Sequence, residues 1–184
     1  MTTSVLYTGQ EIAAALTQTH DQIVSTVEGL PVEALTRKPG DEWCAAEYLL
    51  HLILSVRPTG KAVSFPPEKL TELFGEPDHP SRSYDAFVAL YQQALANGVR
   101  AQQAPGVMPH LPEDVPDLKG HLLAEWDRYS RRLNEAVPNW SEAALDACGI
   151  PHPAVGMLTV REMLFFTVHH NRHHLGDIQT VAAG

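Results

Sequence analysis

The run Val168-His169-His170-Asn171-Arg172-His173-His174-Leu175 carries four of the chain's ten histidines. A fifth, His51, interrupts the apolar stretch Tyr48-Leu49-Leu50-His51-Leu52-Ile53-Leu54. Imidazoles four apart on a helix share a face, so two of the cluster could hold one divalent ion while His51 adds a third nitrogen from a neighbouring helix. Three neutral imidazoles with a fourth position left open are the ligand set of catalytic rather than structural zinc, and nickel or ferrous iron also accepts it.

Which histidines point inward follows from placing each residue about 100° further round the helix axis, starting at Val160. Val160, Met163, Leu164, Thr167, Val168, Leu175, Ile178, Val181 and Ala182 fall on one broad arc. His170 and His174 lie at its edge, continuing the spacing Met163, Thr167, His170, His174, whereas His169 and His173 project to the opposite side with Glu162 and Thr180. A polar outer face accounts for His169 and His173 as solvated or supporting residues. It does not account for His170 and His174, because imidazoles on an apolar face must find partners or cost free energy. The spacing therefore predicts His170 and His174 as ligands.

His51 says little by itself, since a lone histidine on a buried helix is more often a hydrogen-bonded core residue than a ligand. The inward pair on a second helix gives it weight. It shares the least apolar stripe of its helix with Cys44, Tyr48 and Ser55. Glu47, one turn earlier, could orient an imidazole or act as a base, but an exposed glutamate in a helix's first turn is the commoner reading. A ferritin-like di-iron site is disfavoured because Glu162 is followed three residues on by Phe165, where a Glu-x-x-His pair is needed.

The elements that must position these residues are helical. Thr8-Gly9-Gln10-Glu11 is a capping box, and Ile12, Leu16, His20, Ile23, Val27 and Leu30 follow at helical spacing until Pro31. A second helix is predicted from Cys44 to Arg57, stopping or kinking at Pro58, then a short piece over Pro67 to Phe74. A third begins near Ser83. After a proline-rich gap from Pro105 to Pro116, Leu118, Leu122, Trp126, Tyr129, Leu133 and Val137 share one face of a helix from Asp117 to Val137, with Arg128, Arg131, Arg132 and Glu135 outside. Ser141 to Cys148 suits a short turn, and the capping box Thr159-Val160-Arg161-Glu162 opens the histidine-bearing helix. No strand pattern of useful length and no internal repeat is present. The expectation is an all-α antiparallel four-helix bundle with an extra short helical segment, one domain over residues 1–184, a class that builds metal sites from facing side chains.

Composition sets bounds on partners. A net charge of -9 over 184 residues, without a Lys/Arg cluster, argues against nucleic acid or an anionic membrane. The start Met1-Thr2-Thr3-Ser4 lacks a basic segment followed by an apolar one, and no apolar run reaches spanning length, so a cytoplasmic protein is expected. Two cysteines, Cys44 and Cys148, make no disulfide framework and read as small buried residues.

Trp43-Cys44-Ala45-Ala46-Glu47-Tyr48-Leu49-Leu50-His51-Leu52 resembles the tryptophan-to-histidine segment of the DinB/YfiT-like metalloprotein superfamily. His152-Pro153 through Gly156-Met157-Leu158-Thr159-Val160-Arg161-Glu162 to His170-Asn171-Arg172-His173-His174-Leu175-Gly176-Asp177-Ile178 is similar to its C-terminal helix. The resemblance implies a four-helix bundle, usually a homodimer, with one divalent metal on His51, His170 and His174, the trio reached by angle. It differs at Asp177, where the family often has Gln, and at Cys44, where Ser or Thr usually caps the helix. Relatives include transferases and isomerases that use bacillithiol or mycothiol, which implies a metal-dependent thiol transferase acting on a small molecule. A metal-dependent hydrolase and a non-catalytic metal- or ligand-binding stress-response protein are the alternatives.

The angular assignment is tested by metal stoichiometry after dialysis. His51→Ala, His170→Ala and His174→Ala should abolish tight binding, whereas His169→Ala and His173→Ala should keep it and cost only the few tenths of a kcal/mol usual for surface changes. Loss of metal from the second group alone would mean the helix is rotated.

Overall fold

The computed structural model describes residues 7–99 and 105–184. In chain order the helices are α1 (Gly9–Gly29), α2 (Val32–Thr36), α3 (Ala45–Val63), α4 (Pro67–Phe74), α5 (Tyr84–Ala96), α6 (Leu118–Ala136), α7 (Glu142–Ala147) and α8 (Val160–Ala183). Single 3-10 turns lie at Pro105–Val107 and Val137–Asn139, and two strands, β1 (Gly149–His152) and β2 (Gly156–Thr159), precede α8. The long helices α1, α3, α6 and α8 pack in a ring in which α3 and α1 each contact both α6 and α8. The fold is the expected all-α bundle, decorated by four shorter helices.

Local chemistry sets the helix starts. The Thr8 hydroxyl accepts from the Glu11 amide while the Glu11 carboxylate accepts from the Thr8 amide at 2.8 Å, and Thr159 and Glu162 repeat the arrangement at α8. Ser83, Asp117 and Ser141 cap α5, α6 and α7 through single side-chain bonds. Ile12, Leu16, Ile23 and Val27 of α1, Leu49, Leu52 and Val56 of α3, Leu122, Trp126 and Leu133 of α6, and Leu164, Val168 and Ile178 of α8 are buried in one core.

Two expectations need correction. α3 does not end at Arg57 but runs through Pro58 to Val63. Packing against α6 continues beyond Pro58 despite the amide proton that proline lacks: a Cβ at Gly60 would stand in ordinary van der Waals contact with the Tyr129 carbonyl at 3.5 Å and Leu133 at 3.6 Å. The stretch before α8 is a hairpin, with His152 opposite Gly156. Gly156 adopts φ of 78°, the left-handed conformation that closes a three-residue hairpin loop, and strands of four residues with a proline inside leave no alternating pattern to read.

Glu162 also departs from its expected outward placement, for it is fully buried. The segment entering α5 covers it, and the Arg82 amide and guanidinium both donate to its Oε1, at 3.0 and 2.7 Å. Next to it, Arg161 is only 1 % exposed and donates to Asp146 through Nε at 2.6 Å, to Glu142 through Nη1 at 2.8 Å and to the Tyr7 carbonyl. The guanidinium holds the Asp146 carboxyl below its usual range. Among the described residues no helix is long and apolar enough to cross a membrane.

Arg161→Met should lower stability by about 2–4 kcal/mol, toward the lower end because Glu142 and Asp146 can regain water once the guanidinium is gone. A urea melt with an unchanged slope checks it, and a change under ~0.5 kcal/mol would show that this network is incidental.

Candidate metal centre

Side-by-side packing of α3 and α8 brings His51, His170 and His174 together, with one ring nitrogen of each lying within 4.8 Å of the others. His51 Nε2 stands 3.1 Å from His170 Nε2. The rings of His174 lie edge-on to both, with centroids 4.9 Å from His51 and 4.5 Å from His170.

The proton positions follow from the outer partners. His51 Nδ1 meets the Val107 carbonyl at 2.7 Å, and a carbonyl can only accept, so Nδ1 carries the proton and Nε2 a lone pair. His174 Nδ1 meets Asp177 Oδ2 at 2.7 Å, with the same result. Each of the two rings is thereby left with a basic Nε2, and that of His51 lies beside His170. Ligand bonds of ~2.0–2.1 Å at tetrahedral angles need nitrogens roughly 3.3 Å apart, close to the observed 3.1 Å. The donor set therefore fits a divalent ion.

Burial keeps two of the ligand candidates, His51 and His170, neutral. His51 is lowered to about 4, mainly by desolvation, and His170 is pushed well below 6.5 by burial and by the neighbouring imidazoles. Neutral imidazole is the form that binds metal, so little proton competition has to be overcome at these two. His174 is the more open member, its side chain 14 % exposed. Its rim is aromatic: the Tyr48 ring lies 5.4 Å from His174 and the Trp43 ring 5.0 Å from His51.

The remaining candidates separate cleanly. His173 is solvated, 59 % exposed, with Asp177 no closer than 3.7 Å, and His169 is half-buried against Tyr91 of α5. His173, His174 and Asp177 form a second possible ligand group, but its best contact is the Asp177–His174 bond already serving the first. Asp177 thus keeps an orienting role despite replacing the family's glutamine. Glu47 is neither exposed nor near an imidazole: it is buried, accepts from the Cys44 amide at 2.9 Å and pairs with Lys38 at 2.9 Å. That carboxylate supplies the cap that Cys44 lacks as a strong acceptor. Both cysteines are buried free thiols, as expected.

The sequence model of the DinB superfamily matches residues 15–178. The chain belongs to the DinB superfamily. No curated protein and no solved structure matches it. Within this DinB-superfamily chain, three groups near the site escaped the residue pattern. The Val107 carbonyl is backbone and has no side-chain signature. Trp43 and Tyr48 reveal their role as a rim only once α3 is docked on α8. His152, buried on the hairpin and lowered to about 4 by desolvation, had one signal, its place immediately before the loop that Gly156 closes.

The lowered histidines set a pH dependence. Unfolded, each takes up a proton near pH 6.5, whereas His51, His152 and His170 stay neutral in the fold until lower pH. The unfolded state binds more protons, so stability rises with pH: it is complete above about 6.5 and falls toward pH 4, by about 1.4 kcal/mol per pH unit for each extra proton. His79, raised by the Pro80 and Met157 carbonyls, acts in the opposite sense but is one group against five, since burial also lowers His20 and His169. Urea midpoints of the metal-free protein should drop from pH 7 to pH 5; a flat profile would contradict this assignment.

Proposed function

We propose that this DinB-superfamily protein holds one divalent ion, zinc, nickel or ferrous iron, on His51, His170 and His174 and uses it to transfer a low-molecular-weight thiol to a small-molecule electrophile. The observation that carries the reading is the pair of outer hydrogen bonds, His51 to the Val107 carbonyl and His174 to Asp177, which leave Nε2 of both rings basic in a cluster whose third member is a buried imidazole. An ion held by three imidazoles supplies Lewis acidity that lowers the pKa of a thiol or water near it.

The protein's own residues favour a thiol over water. Hydrolysis profits from a free general base, yet Glu47 is occupied by its cap and Lys38, and Asp177 by His174. A thiol, acidic already near pH 8.5, needs less help to ionise. Trp43 and Tyr48 provide flat apolar surface for an electrophile, and burial of His170 keeps bulk water from one side. The same lack of a free base supports the second reading, a binding protein that holds metal and ligand without turnover.

Purified tag-free protein should contain one equivalent of metal, and Asp177→Ala should weaken metal affinity about 10–100-fold while leaving the fold intact. With bacillithiol, mycothiol or glutathione and a chromogenic electrophile, turnover should appear in the loaded protein and vanish with His170→Ala. Metal without turnover for any of the three thiols would select the binding-protein reading; no metal and no thermal shift with zinc, nickel or ferrous iron would reject both.

A further inference from the structure

The segment between α4 and α5, residues 75–83, forms neither helix nor strand and is held down by its side chains. Ser81 donates to Asp146 of α7 at 2.5 Å and its hydroxyl also meets that of Thr159, while the Arg82 amide and guanidinium reach the buried Glu162. A further anchor is His79, and its bonding demands a charge. Nδ1 stands 3.0 Å from the Pro80 carbonyl and Nε2 stands 3.1 Å from the Met157 carbonyl of β2. A carbonyl only accepts, so the two bonds coexist only when both ring nitrogens carry protons.

Arg82 does not relieve that demand by donating to the ring. Its Nη1 is 3.4 Å from each ring nitrogen, which places it over the ring face, because an atom in the ring plane at those equal distances would collide with Cε1. Charge facing the imidazole comes from Arg82 on its own segment and, from α8, from Glu162, whose Oε2 is 3.9 Å from Nδ1. β2 faces it with the Met157 carbonyl, and the carboxylate that α7 brings to this segment, Asp146, is engaged by Ser81 and Arg161. The Pro80 carbonyl first, then the Met157 carbonyl and Glu162, raise the ring above its ordinary 6.5 against burial and Arg82.

We propose that His79 is a proton-operated latch: as an imidazolium it ties the segment entering α5 to β2 and to Glu162, and on losing one proton it releases the stretch ahead of Ser81. In the neutral ring one nitrogen turns a lone pair on a carbonyl oxygen, so that contact opens and the attraction to Glu162 is lost. The proton has a way out, since the side chain is 21 % exposed, and Ser81 and Arg82 keep the far end attached. The released stretch leads into α5, whose Tyr91 packs on Phe166, the ring stacked on His170. The latch therefore sets how firmly the cover on that flank of α8 is anchored. It uses none of the proposed ligands and stands whether or not the chain binds metal.

An NMR titration of the full chain, labelled with 15N and 13C, from pH 6 to pH 9 reads the two ring nitrogens of His79 and the carbonyl carbons of Pro80 and Met157. Both nitrogens should be protonated at pH 6, the ring should lose one proton with a midpoint above 6.5, and the two carbonyl signals should move with that same midpoint. His79→Gln, which keeps a polar side chain but carries no titrating charge, cancels the other histidines when compared with the parent at each pH. Hydrogen exchange over residues 76–81 should be several-fold slower in the parent at pH 6 and match the variant by pH 9. The parent's lead in urea midpoint should likewise be complete below pH 6.5 and vanish as pH rises through the ring's midpoint, the sign expected of a group raised in the fold. A ring with a single proton at pH 6, a midpoint at or below 6.5, carbonyl signals that do not follow the ring, or a parent-to-variant difference constant from pH 6 to pH 9 would overturn the latch.

Discussion

Everything that the site can do depends on one hydrogen-bonding constraint: each of two imidazoles has its Nδ1 proton claimed by an acceptor outside the triad. His51 donates to the Val107 carbonyl and His174 to Asp177, and only then is Nε2 of each ring a base within the triad. Reversing either tautomer would turn an N–H into the shared space. The bundle supplies position, since α3 and α8 lie close enough for Nε2 atoms to stand 3.1 Å apart, while the outer acceptors supply direction.

The core around this seam explains why the histidines tolerate burial. Phe166 on one side of His170 and the Trp43–Tyr48 pair beside His51 and His174 surround the imidazoles with aromatic surface. Burial there depresses the basicity of His51 and His170, so these two remain neutral. Besides Asp177 at His174, charged groups are buried near the start of α8, where Arg161 and Glu162 each meet opposite charge. Their pairing anchors α7 and the segment entering α5 to α8.

The long helices were legible because their signals are local. Thr8 with Glu11 and Thr159 with Glu162 mark starts by spacing alone, and the period of about 3.6 residues separates His170 and His174 from His169 and His173. What failed depended on contacts between distant segments. Glu162 shares a helical side with His169, but burial there is decided by Arg82 some eighty residues earlier. Pro58 is a helix breaker by its own chemistry, yet α3 keeps packing against α6 beyond it, at Gly60. Glu47 occupies the position where exposed glutamates are common, and Lys38 and the Cys44 amide enclose it. The hairpin is too short to show a period, so His152 could not be placed on the α8 flank by pattern.

The bond from His51 to the Val107 carbonyl ties the ligand set to a turn that belongs to neither supporting helix. Any event that draws Pro105–Val107 away from α3 releases the His51 ring, and any ion that favours the present tautomer holds the turn down. By thermodynamic reciprocity the two equilibria carry the same coupling free energy. Ion affinity and the docking of the 105–107 turn are therefore a single two-way linkage, through which an occupant pressing on that turn would be felt at the three nitrogens without touching them.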